Sequence, residues 1–545
     1  MSRFIIVLFL LAMGCPAHAG ILIESPNGVL VQGPTSMAAA CSQKLPIHVT
    51  SVLSAVQSNI SSATVHYCSA PINIHPGGGL GNSTHFFATG TFTAGDYQVF
   101  YGTAPVNFGP NSLQEGKTHV DWFGGTISGA DNHAAIIAAV NSLPQSGGAV
   151  SGVVWFDQKG IYSTSSLFFS SFSGLSFAAT TASQPGVPIG TTIQALGTMA
   201  DLFRLAGCQG FSFKNLELNG NLTATHVLNI DQTSTSGPSE RGSVYNCFID
   251  SAAENGANLY ISPTAPGNVS NIEFYSTTFQ ASSSTSYVSN VYINSTNALN
   301  NRFFGCNFWG RANTHIYLLG GSVFLYDPNF ENSRNYDIMS TNNGYFDIYG
   351  GYSETGTPGS ADGNGSIYVA GNTATNPIVI SGFTQTCLGT SGISATINMN
   401  NNNQLMTVIG TKGGIINNTS TMGITLLGST FPGGVQGTQS SLVQSFGPGG
   451  LSSIKGISST GTASANLSGK VTMSGTPTSQ AVTLTSVEAD TNYNIQLTPS
   501  STTGTPASGA YTIMSVSKTT GGFTFYPVSA PGTGNSVTWS WLLVR

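Results

Sequence analysis

Seven short segments along the middle of the chain share an apolar residue at one aligned position. Successive positions are separated by 22 to 32 residues, which is far longer than a helical or strand period. Such an interval predicts one coil of a parallel β-helix, with inserted loops where the interval is longest. The seven positions are Leu216, Phe248, Phe279, Phe308, Phe330, Tyr352 and Phe383.

A β-sandwich is the alternative architecture for this region. Asn-Gly dipeptides, which favour two-residue hairpin turns, begin at positions that include Asn219, Asn255 and Asn343. Hairpins would make the sheets antiparallel, whereas the repeat predicts parallel ones. The repeat favours the β-helix.

One segment has a helical rather than a β pattern. Ile136, Ile137 and Val140 are spaced for one face of a helix over residues 132–142. Asp131 or Asn132 supplies the N-cap, and a Pro/Gly-containing run follows at residues 144–148. A strand at residues 153–156 comes next, so this helix stands at the entrance to the repeats.

The stretch His119–Ser166, with Trp122-Phe123-Gly124, the helix, a Gly-Gly turn and a hydrophobic strand, resembles the opening of pectate-lyase-superfamily β-helices and phage tailspikes. The resemblance implies an all-β chain built on a right-handed parallel β-helix, or solenoid, with an N-terminal capping helix. It implies an extracellular polysaccharide as partner. Such families usually carry paired acidic residues where this chain has Ala130–His133, so we expect this loop to serve only the cap.

Composition changes divide the chain into five parts. Arg3, an apolar run over residues 4–13 and Ala17-His18-Ala19 predict a signal peptide over residues 1–19, with a lipid anchor at Cys15 as the alternative. A small β-rich head (20–118), the β-helix (119–427), a Gly/Ser/Thr-rich linker (428–468) and a C-terminal β-sandwich (469–545) follow. We therefore expect a secreted, periplasmic or cell-surface protein. The ending SVTWSWLLVR resembles C-terminal domains that serve carbohydrate binding or trimer assembly, so the chain is expected to be a monomer or a homotrimer.

Charge excludes several classes of partner. Only 7% of the 545 residues are charged, and the net charge is −6 with 15 basic residues scattered singly. This distribution lacks the basic patch that nucleic-acid binding requires. Beyond the signal peptide, no apolar run approaches the ~18 residues of a membrane span. We expect neither nucleic-acid binding nor membrane insertion.

The cysteines predict a disulfide rather than a metal site. Cys41 and Cys68 both lie in the head and can pair in an oxidising compartment. The later cysteines have neither the spacing of a zinc site nor a neighbouring histidine. No metal and no cofactor are expected, except Ca²⁺ if the protein is a lyase.

Charged residues concentrate between Asn301 and Asp362, where nine occur, against three between Gly363 and Val487. We call the seven repeating apolar residues the marker residues. Trp309 and Glu331 directly follow the marker residues Phe308 and Phe330, so both side chains should face outward on adjacent coils. Glu354 comes one coil later, two residues after its marker residue Tyr352 rather than one. The predicted catalytic residues are Glu331, Glu354, Asp327 and Asp347, and the predicted substrate-binding residues are Trp309, Arg311 and Arg334.

Paired carboxylates beside an aromatic platform suit cleavage of a polysaccharide. A hydrolase uses two carboxyl groups as acid and base or nucleophile, and a lyase uses a base beside a neutralised carboxylate. The pattern leaves hydrolase and lyase open. The alternative function is a non-catalytic glycan-binding adhesin or tailspike-like structural protein, and a merely solvated face remains a third interpretation.

Overall fold

Three parallel sheets form the long middle part of the chain in the computed structural model. The model describes residues 5–6, 21–25, 28–32, 46–49, 65–68, 71–75, 85–101, 105–147, 149–182, 190–233, 235–261, 267–282, 288–354, 365–370, 377–385, 395–400, 405–420, 423–431, 435–436, 443–446, 468–484, 491 and 494–544. From Val153 to Asn400 each coil contributes one strand to each sheet in turn, and successive strands of a sheet pair in parallel. The predicted all-β chain with a parallel β-helix is therefore confirmed.

The sheets are named by their order within a coil. Sheet I contains the strands Lys117–His119, Val153–Phe156, Ser176–Ala179, Ser212–Lys214, Ser243–Tyr245, Glu273–Tyr275, Asn301–Phe304, Ser322–Tyr326, Tyr345–Tyr349, Ile378–Ser381, Met406–Ile409, Ile424–Leu427 and Val443–Phe446. Sheet II contains Gly160–Thr164, Thr191–Ala195, Glu217–Asn219, Phe248–Asp250, Thr278–Ala281, Asn307–Gly310, Asn329–Glu331, Tyr352–Glu354 and Thr384–Gln385. Sheet III contains Leu167–Ser170, Met199–Ala206, Ala224–Asp231, Ala257–Ile261, Ser289–Ile293, Thr314–Leu318, Tyr336–Thr341, Gly365–Ala370, Ala395–Asn400, Ile416–Asn418 and Val435–Gln436.

The core runs along the inside of the coils. Alternation along each short strand sends one side chain inward and its neighbours outward. The inward column of sheet II consists of fully buried residues that stack in register, namely Leu218, Ile249, Phe279, Phe308 and Phe330. Three of the seven marker residues therefore occupy this column. Leu216 and Phe383 are also buried but lie just before their sheet II strands, and Phe248 and Tyr352 point outward.

The predicted helix spans His133–Ser142 and buries one face. It packs against the 3₁₀ turn Val120–Phe123 and the strands Val106–Phe108, Lys117–His119 and Val153–Phe156. The helix thus lies between the N-terminal strands and the first coil. Two further 3₁₀ turns in the described part of the chain span Gln114–Gly116 and Ser508–Tyr511.

The N-terminal strands form two further sheets. One contains Ile5–Ile6, Ile21–Ser25, Gly28–Gln32, Ile47–Val49, Ile72–Ile74 and Phe92–Ala94, and the other contains Val65–Cys68, His85–Ala88 and Val106–Phe108. From Gly28 onward their pairing is parallel. Apart from Ile5–Ile6, the predicted signal peptide lies outside the described residues, as does Cys15.

The C-terminal strands pair antiparallel in two sheets. Ser468–Gly475, Gly532–Val544 and Asn494–Thr503 form one, and Gln480–Thr483, Gly522–Pro527 and Ile513–Thr519 form the other. They share a separate buried cluster that includes Phe523, Phe525, Trp539 and Trp541. Small pairs of strands complete the fold: Gln145–Ser146 with Ala149–Val150, and Ser239–Glu240 with Val269–Ser270.

Parallel pairing continues beyond residue 427. Val435–Gln436 pairs with the preceding strand of sheet III, and Val443–Phe446 with that of sheet I. Both lie inside the stretch predicted as a linker, most of which falls outside the described residues. The domain boundaries remain predictions. Within the described part of the chain, no helix has the length and apolarity needed to cross a membrane.

Candidate functional site

A row of polar side chains runs along the outer face of sheet II. The strand pairing places Gln194, Asn219, Asp250, Gln280 and Trp309 on successive coils at one register position. Trp309 and Glu331 each follow a paired phenylalanine, Phe308 and Phe330, and Glu331 pairs with Glu354. We call these residues the sheet II outer row, which consists of Gln194, Asn219, Asp250, Gln280, Trp309, Glu331 and Glu354.

Glu331 and Glu354 lie directly opposite each other on adjacent strands. The predicted displacement of one residue is wrong because Ser353, rather than Tyr352, points into the core. Ser353 is fully buried, and its hydroxyl donates to the Asp337 carboxylate over 2.6 Å. Gly350 and Gly351 precede the strand with φ of 76° and 82°, a conformation open to glycine that lets the turn shift the register. The two glutamates are therefore neighbours across one strand spacing of about 4.8 Å.

The neighbours of the two glutamates make this end of the outer row a cluster. The Asn329 amide donates to Glu331 Oε1 over 2.9 Å. Tyr352 is 37% exposed, and partial desolvation followed by the charges of Glu331 and Glu354 raises the pKa of its phenol. Tyr352 pairs with Asn329, so both lie on the same two strands and the same outer face as the two glutamates.

Trp309 offers an open ring beside these carboxylates. It is partly exposed, and no stacking of its ring with another aromatic ring occurs among the described residues. The contrast is with sheet I, whose outer aromatic rings stack on one another at centroid distances of 4.6–5.2 Å and so present edges rather than faces. These stacked residues are Tyr245, Tyr275, Phe304, Tyr326 and Tyr349. A sugar ring stacks on a face, and Trp309, like the exposed ring of Tyr352 on the same sheet, is not covered by another aromatic ring among the described residues.

A buried polar chain on sheet III holds the backbone of the outer row from inside. Asn258 donates to the Gln280 carbonyl over 2.9 Å, Asn290 donates to the Trp309 carbonyl over 3.0 Å, and His315 Nε2 lies 3.0 Å from the Glu331 carbonyl. Asn258 also donates to Asn290, and Asn290 donates to His315 Nδ1, both over 2.8 Å.

This pattern assigns the proton of His315 to Nε2, which donates to the backbone carbonyl of Glu331. His315 is completely buried, and burial lowers its pKa to about 3, so the ring is neutral in ordinary buffers. Each of the three side chains thus fixes the strand that carries one outer-row residue. The sequence pattern does not single out His315, because the contact of sheet III side chains with sheet II carbonyls is visible only in three dimensions.

The predicted arginines lie in the turn that leads from sheet II to sheet III. Arg311 follows the strand ending at Gly310 and is exposed, and Arg334 follows the strand ending at Glu331 and is partly exposed. The Arg334 amide donates to the Ala312 carbonyl of the previous coil over 2.8 Å. Arg311 and Arg334 therefore lie on adjacent coils, on the same side of the outer row.

The predicted aspartates are not members of the outer row. Asp327 is exposed in the turn between sheets I and II, with φ of 49°. Asp347 belongs to the sheet I strand Tyr345–Tyr349 and is 4% exposed. Its oxygens accept from the Tyr345 and Tyr349 hydroxyls and from the Val379 amide. Asp347 has the outward parity of its strand, because it pairs with Phe324 and Val379, but that strand belongs to sheet I rather than sheet II.

Sequence reasoning missed a second pair of carboxyl groups on sheet II. Glu217 and Asp250 are 4% and 3% exposed, although both face outward. Glu217 accepts from the Thr192 hydroxyl over 2.6 Å and the Asn219 amide over 3.1 Å. Burial, and then the charge of Glu217, raise the pKa of Asp250 well above its ordinary value, and its Oδ1 has no hydrogen-bond partner. Both lie in the repeating segments aligned on Leu216 and Phe248. The repeat, rather than the local density of charged residues, is therefore the sequence signal that identifies them.

The described cysteines comprise one disulfide-bonded residue and three free thiols. Cys68 is disulfide-bonded, whereas its predicted partner Cys41 lies outside the described residues. Cys208, Cys247 and Cys306 are free and buried. Burial raises their thiol pKa values to about 11, 12 and 12, respectively.

The chain is similar in structure to several viral proteins. The Acinetobacter phage vB_ApiP_P1 tailspike protein is 14% identical over 79% of this chain and 87% of its own, with a TM-score of 0.40. The tailspike protein gp49 of Pseudomonas phage LKA1 is 12% identical over 94% and 92%, with a TM-score of 0.39. Geobacillus virus E2 ORF18 is 19% identical over 54% of this chain and 62% of its own, less than two thirds of its length, with a TM-score of 0.37. No family model and no curated protein matches the chain.

Proposed function

We propose that the protein binds a polysaccharide along the sheet II outer row and hydrolyses it between Glu331 and Glu354. The observation that carries this proposal is the direct pairing of the two glutamates, one coil beyond Trp309. The outer row combines amides and carboxylates that hydrogen-bond sugar hydroxyls with one open aromatic face. A glycan chain lying along the row would contact one side chain per coil.

The spacing of the carboxylates favours a retaining reaction. Adjacent strands lie about 4.8 Å apart, close to the ~5–5.5 Å between the two carboxyl groups of retaining glycosidases. In this reaction one carboxylate attacks the anomeric carbon while the other, protonated, donates its proton to the departing oxygen. Water then cleaves the glycosyl ester, and the second carboxylate takes up the proton that the water loses.

The neighbours of the pair give each glutamate a distinct environment. Glu331 is partly buried and accepts from Asn329, while Glu354 is exposed. A carboxylate that is fixed by a hydrogen bond suits attack, and we assign this role to Glu331. Glu354 then serves as the acid, with Tyr352 on the same outer face. Arg311 and Arg334, beside the row, would hold acidic substituents of the glycan.

The remaining parts of the proposal concern placement of the protein. A disulfide at Cys68 fits an oxidising compartment and so supports export. The helix His133–Ser142, packed between the N-terminal strands and the first coil, would close the end of the β-helix. The C-terminal strands would serve glycan binding or assembly of a homotrimer.

The test is release of reducing ends from a panel of acidic and neutral polysaccharides. Glu331→Gln and Glu354→Gln should each lower the rate at least about a hundredfold while leaving the unfolding transition unchanged. Glu273→Gln, a carboxylate on sheet I, is the matched control and should keep full activity. Unsaturated products, seen by ultraviolet absorbance, would instead identify a lyase. Full activity in both glutamine variants would refute the assignment.

A binding function without catalysis is the second candidate. It is favoured by the exposure of Glu354, since catalytic acids usually lie in clefts from which water is partly excluded. Binding to a glycan array without product release from any polysaccharide would support this candidate. Loss of that binding in Trp309→Ala would still assign it to the outer row.

A further inference from the structure

A second group of side chains meets far from the outer row, where the N-terminal strands join the first coil. Asp96 follows the strand Phe92–Ala94, His119 ends the first strand of sheet I, and Asp157 follows the next strand of that sheet. One ligand atom from each lies within 4.8 Å of the others. Three separate segments of the chain therefore converge on one point.

Asp157 is buried without enough partners for its charge. Its side chain is 6% exposed, and Oδ1 lies 2.6 Å from His119 Nδ1. Its other oxygen, Oδ2, is buried and has no hydrogen-bond partner. An unpartnered buried carboxylate oxygen is costly, and a bound cation removes that cost.

The groups around the cluster hold its members in place. The Trp122 indole donates to the Gly95 carbonyl over 3.0 Å, and the Tyr97 hydroxyl donates to the Ile74 carbonyl over 2.6 Å, so both neighbours of Asp96 are anchored. The His119 ring stacks on Trp122 with centroids 4.3 Å apart. The tryptophan of the Trp-Phe-Gly motif thus positions two of the three side chains.

The local charge favours a cation. Asp121, two residues after His119, is buried and accepts from Tyr162 and Gln158 over 2.7 Å each, so both of its oxygens are occupied. Lys117, on the strand that carries His119, is already paired with Glu115 over 2.6 Å.

We propose that Asp96, His119 and Asp157 bind one divalent transition-metal ion that ties the N-terminal strands to the first coil of the β-helix. One imidazole and two carboxylates form a mixed nitrogen and oxygen donor set, which suits Zn²⁺ or Mn²⁺. Ca²⁺ and Mg²⁺ prefer oxygen donors alone and should bind more weakly. The sequence hid this group because its members are separated by 23 and 38 residues, outside any short metal motif.

The test is calorimetric titration of the full chain, freed of metal with a chelator, with Zn²⁺, Mn²⁺ and Ca²⁺ in turn. We expect one equivalent of Zn²⁺ or Mn²⁺ to bind and to raise the melting temperature. Asp96→Asn and His119→Gln should each weaken binding at least about tenfold. Asp96 is exposed, so its variant folds even if the His119 variant does not. Glu254→Gln, an exposed carboxylate in another turn, is the matched control.

One competing site must be separated in the same experiment. His48 Nδ1 and His75 Nε2 lie 3.2 Å apart in the head and could also bind Zn²⁺. His75→Gln should leave the proposed binding intact. Binding that disappears in His75→Gln but persists in Asp96→Asn would assign the ion to the histidine pair and overturn the proposal. Absence of stoichiometric binding by the wild-type chain would overturn it as well.

Discussion

The buried imidazole of His315 should make the stability of the protein depend on pH, and replacement by asparagine should remove that dependence. His315 is inaccessible to solvent, and burial lowers its pKa from 6.5 to about 3. Between these two values the unfolded chain binds a proton at this position and the folded chain does not. Acidification through this range therefore favours the unfolded state.

The size of the effect follows from the width of that range. The contribution of His315 to the free energy of unfolding has its full value above about pH 6.5. It falls by about 1.4 kcal/mol for each pH unit below that value, until about pH 3. At about pH 4.5 the wild-type chain should have lost about 3 kcal/mol through this group alone. Other titrating groups are shared with a variant at this position, so they cancel in the comparison.

Asparagine is the informative replacement because Asn258 and Asn290 occupy the same position on the two preceding coils. It can donate to the Glu331 carbonyl as Asn290 donates to that of Trp309, and it does not titrate. The smaller side chain should cost about 1–2 kcal/mol at about pH 8 through the space it leaves. At about pH 4.5 the variant should equal or exceed the wild type in stability.

Urea unfolding followed by tryptophan fluorescence at the two pH values measures this difference in stability. If the chain does not refold, the unfolding rates at the two pH values are compared instead. A stability difference between wild type and His315→Asn that is the same at both pH values would refute the reasoning. It would mean that the ring titrates alike in the folded and unfolded chains.

Three further results are expected. Asp250→Asn should gain stability relative to wild type as pH rises from about 4 to about 8. The pKa of Asp250 is raised in the folded chain, so rising pH favours the unfolded wild type, in which this carboxyl ionises more readily, whereas asparagine does not titrate. Denaturant midpoints at the two pH values check this, and a difference that does not change with pH contradicts it. Trp309→Ala should weaken glycan binding about tenfold or more, equivalent to 1.4 kcal/mol, with a smaller loss in Trp309→Phe; calorimetry checks it, and equal affinities contradict it. Cys208, Cys247 and Cys306 should resist alkylation near neutral pH until the chain is unfolded, because burial raises their pKa values; peptide mass mapping checks it, and labelling of the native chain contradicts it.

The sequence was sufficient to predict the parallel repeat because each coil has to bury one side chain at the same place. Phe279, Phe308 and Phe330 satisfied that requirement with a large apolar residue, so alignment on them predicted their register correctly. The same reasoning placed Trp309 beside Glu331. Inward position, rather than hydrophobicity as such, is the property that repeats.

The prediction was inaccurate where the interior is polar. At Ser353 the coil buries a hydroxyl that donates to Asp337, and the apolar ring of Tyr352 faces solvent instead. No hydropathy pattern identifies such a residue as inward, so the register of Glu354 was displaced by one position. The same polar interior, through Asn258, Asn290 and His315, holds the carbonyls behind the outer row.

These two observations bear on how the candidate site is built. An apolar core would leave the sheet II carbonyls at this corner without side-chain donors, whereas the polar chain binds one carbonyl on each of three consecutive coils. The residues that the sequence failed to place are therefore those that fix the backbone beneath Trp309 and Glu331. Their polarity costs stability in the core unless every donor is satisfied. Because the same chain supplies donors to carbonyls that would otherwise lack them, it serves the fold first, and it fixes the backbone beneath Gln280, Trp309 and Glu331 whether or not the outer row binds a glycan.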